Sequence, residues 1–500
     1  MTSAAPVPVP ATFSVLANPD LLRQVLQGAS VGFPEWEPID FANTALTCRA
    51  FSEPALDSLW RELTSFIPLL RLIPGFTILN GLHTLLGPLS PSDFVRFDHH
   101  ARRVRSVELS THLDVSIDTS VFIRIAQQHR EPILPLLQQL QIWSSAHLNA
   151  SLPLLLTPTL HHIDLISDLV PSDDGVREET AFAVFLSMVA HSFPRALDHL
   201  VLGATISPMI LDLIPRFDYL RTLDIGRIHP SVTYPTFLKL LHSVSSSSHL
   251  TSLIINDLLP WSSWQSPPSF EAAFPALITL KVSGGLDFLE RFINGLGTSS
   301  LRNLTVGCQH QPTRWADEES LERWRLLFAH IAVRWQSSLA QIAITIPGKH
   351  LYPTGFLHLF RGFCSLGNLQ EFSLYCCPVV GLDNNAVRTL AIGCPCLQKL
   401  GLAVAVTDEN HQITLPGIDT LLHLVFHCPC LRELELSLDL GRELTTEIPS
   451  TSTHCLKILT IHSSHRPGVL VRNHIAKVLD GTFPALKSFY GWAPGKQWSL

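Results

Sequence analysis

The chain has 500 residues and a formal net charge of −7, with 46% hydrophobic and only 15% charged residues. The acidic balance argues against nucleic acid, whose recognition rests on basic patches that neutralise phosphates; the densest basic run, Arg102, Arg103 and Arg105, is too short to reverse it. No uninterrupted apolar stretch reaches the ~20 residues of a membrane helix, while so large a low-charge chain can bury an extensive core and points to protein partners.

Residues 1–13, MTSAAPVPVPATF, have no basic start and several prolines, which predicts a disordered tail rather than a signal peptide. A helical module is expected over residues 14–65. Its first helix opens at NPDLLRQVLQ, with Asn18 as N-cap and Pro19 at the first helical position. Leu21, Leu22, Val25 and Leu26 fall on one face. After the loop VGFPEWEP, the stretch IDFANTALTCRAF predicts a second helix with Phe41, Ala45 and Cys48 at i, i+4 and i+7. Ser52 is expected to cap a third, with Pro54 tolerated in its first turn and Ala55, Leu56, Leu59, Trp60 and Leu63 along one side. A core this small is marginal alone, so the module is expected to dock on the rest of the chain, on a partner, or on both. Residues 66–100 are expected to form a helical linker or cap.

From residue 101 to 500 one pattern recurs: an apolar residue, two variable, an apolar, one variable, an apolar. It reads VRSVEL at Val104, LQQLQI at Leu137, LHHIDL at Leu160, LDHLVL at Leu197, LRTLDI at Leu220, LTSLII at Leu250 and LITLKV at Leu277. It continues as LRNLTV at Leu301, LAQIAI at Leu339, LQEFSL at Leu369, LQKLGL at Leu397, LRELEL at Leu431, LKILTI at Leu456 and a frayed LKSFYG at Leu486. The mean spacing of these fourteen is about 29 residues, within the leucine-rich-repeat range. The alternating tail of each motif predicts a short strand. DEESLERWRLLFAHIAVRW, DNNAVRTLAIGC and VRNHIAKVLDG read as helices between strands. The expected fold is α/β: an irregular solenoid of about 14 leucine-rich units, parallel strands on the concave face and helices outside. An ordinary α/β sheet would not be expected to repeat one leucine spacing so often. The Asn or Cys that leucine-rich repeats place eight residues after the first leucine is present as Cys377, but Ala405 and Asp439 fill that slot in the next two units.

The 14–65 segment resembles an F-box. Pro19 matches the family proline, and Asn18 stands where the family has leucine. Leu22, Val25 and Leu26 match the first helix, Leu46, Cys48, Arg49 and Phe51 the middle stretch, and Leu59 and Trp60 the end. AFSEPALDSLWREL is similar to the expanded F-box families of fungi, and CPCLQKLGL and CPCLRELEL to the cysteine-containing repeats that follow F-boxes. The resemblance implies a non-catalytic substrate-recognition subunit of an SCF-type ubiquitin ligase. Pro19, Leu22, Val25, Leu26, Leu46, Cys48, Phe51, Leu59 and Trp60 would contact a Skp1-like adaptor, and through it a cullin; the repeats would hold an unidentified target protein. The alternative is a leucine-rich-repeat scaffold with no ligase role, its N-terminal helices serving only as a solenoid cap.

Other chemistry is weakly signalled. His423, His427, Cys428 and Cys430 have metal-ligand spacing, but Cys394-Pro-Cys396 occupies the same place in the preceding unit without histidines. The cysteines therefore read as a repeat feature that ends a helix and enters a strand, and neither a metal nor a cofactor is expected. His99-His100 and His161-His162 lack a nearby cysteine set and read as solvated or core histidines. Gly491 and Gly495 in GWAPGKQ are too close for a phosphate loop, and no catalytic motif is present. Two segments exceed what a repeat needs and read as loop insertions: Val170 to Thr180, and Asp257 to Phe270, whose Trp261 and Trp264 make it a candidate partner loop. The ten cysteines lie mostly in apolar runs, which implies free thiols and a reducing compartment, cytoplasm or nucleus.

Overall fold

The structure, a computed structural model, describes residues 18–32, 37–110, 117–129, 132–143, 152–166, 173–229, 231–256, 273–298, 300–308, 318–346, 355–376, 382–404, 415–441, 454–463, 467–493 and 496–498. The expected N-terminal tail, Trp261 and Trp264 lie outside these residues. The chain divides into two units, Met1–Leu220 and Arg221–Leu500.

The first unit opens with three helices: α1 (Pro19–Gly32), α2 (Pro38–Thr47) and α3 (Arg49–Arg61). Asn18 starts α1 as its composition predicts, its Oδ1 accepting from the N–H groups of Asp20 at 3.0 Å and Leu21 at 3.3 Å. A capping box between Glu37 and Asp40 starts α2. Two expectations are corrected here. Cys48 is not on a helix face: its extended backbone (φ −159, ψ 164) ends α2 and starts α3. Ser52 is not the cap of α3, because the Cys48 carbonyl already accepts from the N–H groups of Phe51 and Ser52. Pro54 therefore lies inside the helix, where its missing N–H leaves the bond to the Ala50 carbonyl unmade. The core of the three helices is Leu26, Phe41 and Ala55, with Ala45 and Leu59 packed against it.

From α3 the chain enters a two-residue strand, Glu62–Leu63, which pairs in parallel with Ser106–Ser110. The segment between is not purely helical. Short helices at Ile67–Leu70 and Val95–Ala101 flank an antiparallel hairpin, Phe76–Leu79 with Leu82–Leu85. Its turn is Asn80-Gly81, with φ of 52 and 82. Asn-Gly is the pair that tolerates two successive positive φ values, so this departure had a local signal in the sequence. The expected loop Val170 to Thr180 also differs: a 20-residue helix, Asp173–Ser192, begins inside it. The residues that follow, among them Ala181, Ala183, Leu186 and Met188, are good helix formers.

Each of the fourteen motifs predicted from sequence gives a strand that starts two residues after its leading apolar residue. In the first unit Ser106–Ser110, Gln139–Trp143, His162–Ile166 and His199–Ile206 pair in parallel, in chain order. In the second, parallel strands run from Thr222–Ile228 to Ser488–Ala493, closed by an antiparallel return at Lys496–Trp498. Register follows the motif: Leu280 opposes Leu304, Leu304 opposes Ile342, and Ile342 opposes Phe372. A one-residue slip would turn every one of these side chains into water. All leading side chains but Leu486 are buried, each contributing about 1.5–3 kcal/mol of burial free energy. The three predicted intervening helices are present as Glu318–Arg334, Asn384–Gly393 and Val469–Thr482. Other connections are only a turn or two of helix, such as Pro208–Leu211 and Phe356–Phe360. The result is a mixed α/β architecture whose parallel strands stack one per repeat within each unit.

Candidate interaction surface

Helical amphipathicity brought Leu21, Leu22, Val25 and Leu26 to one stripe, and packing divides that stripe. Leu22 and Leu26 are 2% and 3% exposed, whereas Val25 is 58% exposed and Leu21 is also in solvent. On α2, Ile39 is 58% and Leu46 is 85% exposed. Pro19 and Cys48 are exposed, and Phe51, Leu59 and Trp60 are half-buried. The predicted docking residues thus form two sets: Leu22, Leu26 and Leu59 hold the module together, while Pro19, Val25, Leu46 and Cys48 are available to a partner. Trp60 stands partly between them, because its ring packs on His100 at 4.5 Å between centroids.

Ion pairs fix the module against the strands that follow. Asp57 of α3 accepts from Arg23 Nε of α1 at 2.9 Å and pairs with Arg103, which also reaches Glu53. The Arg105 N–H donates to the Arg61 carbonyl at 2.8 Å. Burial, with the positive neighbours His99, Arg103 and Arg96, lowers the His100 pKa to about 4. His100 is therefore a neutral ring against Trp60 at pH 7.

The strands offer a second surface, since residues between the buried motif positions point away from the core. In the second unit these include Glu371, Lys399, Glu433, Glu435 and His462, beside exposed Tyr375, Tyr490 and Trp492. They are cross-linked from strand to strand: Lys399 Nζ to Glu433 at 2.9 Å, His462 Nε2 to Glu435 at 2.8 Å, Gln341 Nε2 to Glu371 at 2.9 Å. The His462 hydrogen bond holds the Glu435 carboxyl below its usual range. In the first unit the corresponding positions bring His162, Asp164 and His199 together. His161-His162 is thus split: His161 turns to the Thr159 carbonyl, and His162 meets a histidine of the next repeat. Sequence reasoning missed this group because His199 is far away in the chain. The signal was present, since His162 and His199 hold the same slot in LHHIDL and LDHLVL.

Cys394 and Cys428 end helices and are buried, with Sγ atoms directed at carbonyls: Cys394 to Phe363 at 3.2 Å, Cys428 to Ala391 and Cys394 at 3.6 Å each. Burial pushes both thiols up to about 12. Cys396 and Cys430 face solvent instead. Among the described residues, His423, His427, Cys428 and Cys430 do not converge as a ligand set, and no helix is long and apolar enough to cross a membrane. No protein-family model matches the chain, and no curated protein matches it.

Proposed function

We propose that this chain is the substrate-recognition subunit of an SCF-type ubiquitin ligase, in which α1–α3 bind a Skp1-like adaptor, and through it a cullin, while the outward strand face holds a target protein. It makes no bond itself; it raises the local concentration of target lysines near ubiquitin carried by other subunits. The carrying observation is the exposure of Val25, Ile39 and Leu46 on helices whose inner side is already filled by Leu22, Leu26 and Phe41. A cap that serves only the solenoid needs a polar outer face. The exposed thiols Cys48, Cys396 and Cys430 suit a reducing compartment, cytoplasm or nucleus.

The test is adaptor binding by the full chain beside a Val25→Asp, Leu46→Asp double variant. Both positions are in solvent, so the variant should fold with an unchanged melting curve. The parent should bind, and the variant should lose about 100-fold or more in affinity, as truncated interface anchors do. A folded parent that does not bind, or a variant that binds equally, would refute the assignment. Leu22 and Leu26 are unsuitable probes, because charging them would disrupt the core.

One observation favours a second reading, a repeat scaffold without a ligase role. α3 continues into the strand Glu62–Leu63 and pairs with Ser106–Ser110, so the module also caps the first sheet. Copurification of a cullin with the intact chain would exclude that reading.

A further inference from the structure

We propose that His162, Asp164 and His199 form a binding site for one divalent first-row transition ion, zinc above all. His162 and His199 face one another in register on neighbouring parallel strands. Their rings stack at 3.9 Å between centroids with planes 17° apart. Asp164 lies two residues along the same strand as His162, on the same face, with Oδ1 2.9 Å from His162 Nε2. One donor atom from each of the three lies within 4.8 Å of the others.

A tetrahedral ion with bonds of about 2.0–2.1 Å holds its ligands about 3.3 Å apart. The three donor atoms all lie within 4.8 Å of one another, and His162 Nε2 is 2.9 Å from Asp164 Oδ1, so small side-chain adjustments would bring them to that spacing. Two imidazole nitrogens and one carboxylate oxygen select zinc, nickel or copper over calcium and magnesium, which take oxygen ligands. The backbone beneath is already ordered. The His161 carbonyl accepts from the N–H groups of Asp198 and His199 at 3.0 Å each, and the His162 strand pairs on its other side with Gln139–Trp143. Little further ordering opposes binding.

Three protein ligands leave at least one coordination position open. A bound ion could accept a histidine, cysteine or carboxylate from a docked protein there. The site rests on the first unit's strands alone and does not depend on the ligase reading.

The experiment is calorimetric titration of the full chain with zinc sulfate, together with the visible spectrum of the cobalt-substituted protein. The expected result is one ion per chain with micromolar or tighter affinity, a tetrahedral cobalt spectrum without thiolate charge-transfer bands, and no response to magnesium or calcium. The His162→Ala, His199→Ala double variant should bind about 100-fold more weakly or worse, while His423→Ala, His427→Ala should bind as the parent does. Asp164→Asn, which keeps its shape, should lose about tenfold and serves if the double variant fails to fold. Absence of zinc binding at millimolar concentration, binding undiminished in the folded variants, or a thiolate-type cobalt spectrum would each overturn the site.

Discussion

Polar side chains at the seams between successive strands satisfy backbone carbonyls of the neighbouring strand connection. The Leu137 carbonyl accepts from the hydroxyls of Thr157 and Thr159, and the Leu277 carbonyl from those of Thr298 and Ser300. Trp335 Nε1 donates to the Thr298 carbonyl at 2.9 Å, and His454 Nε2 to the Cys428 carbonyl at 2.9 Å. Cys394 and Cys428 belong to the same class, and their reactivity follows from it. Thiolates are the nucleophiles, and burial holds these two as thiols. Native alkylation at pH 8, mapped by mass spectrometry, should label Cys48, Cys396 and Cys430 and spare Cys394 and Cys428 until the chain is unfolded. Early labelling of Cys428 would contradict the packing. His100 supplies a pH signature. Its folded pKa near 4 is below the ordinary 6.5, so between these values the unfolded state binds more protons. Stability is then fully present above pH 6.5 and declines as pH falls towards 4. His199, His330, His423 and His454 are lowered in the same direction, burial being the leading cause in each. The melting temperature should fall between pH 6.5 and 4.5, and His100→Phe, which keeps a ring on Trp60, should make the slope shallower. Identical slopes would remove His100 from the account.

At the scale of elements, repeats are joined by close backbone approaches as well as by the sheet. Gly393 ends the helix Asn384–Gly393, and a Cβ built there would lie 1.5 Å from the Cys364 carbonyl oxygen of the preceding repeat. No rotamer relieves a clash with backbone. Gly393→Ala should therefore destabilise the chain by about 2 kcal/mol or more, in the range of overpacked interiors, where an exposed helical Gly→Ala would stabilise. Urea unfolding of the two proteins decides the sign, and a more stable variant would mean that the helix end sits farther from Cys364. Nothing in the local sequence marks Gly393 as constrained. Its constraint arises from a neighbour in another repeat, whereas the helix itself was legible from the spacing of Val387, Leu390 and Ala391. The Asn80-Gly81 hairpin was equally local and equally legible, but an expectation of helix across residues 66–100 overrode the turn chemistry.

At the scale of the molecule, the N-terminal helices are a structural part of the first unit. Removing residues 1–65 takes away Asp57 from the Arg103 pair and the Glu62–Leu63 strand from the edge of Ser106–Ser110. The truncated chain should melt at a lower temperature and self-associate through the bared edge, as measured by calorimetry and light scattering. An unchanged melting curve would mean that the helices contribute no capping. Loss of adaptor binding after truncation therefore carries less information than loss in the Val25→Asp, Leu46→Asp variant. What the sequence by itself determined was the repeating strand: fourteen starts, each set by an apolar alternation that needs only a core on one side and a like neighbour on the other. The three helices and the cap at Asn18 were set in the same way, by local spacing. Tertiary structure alone decided that Leu22 is inside and Val25 outside, that Trp60 lies on His100, and that His162 meets His199. An apolar stripe wider than its contact does not say which edge is covered, and a connection of variable length does not say which side chains a register will bring face to face.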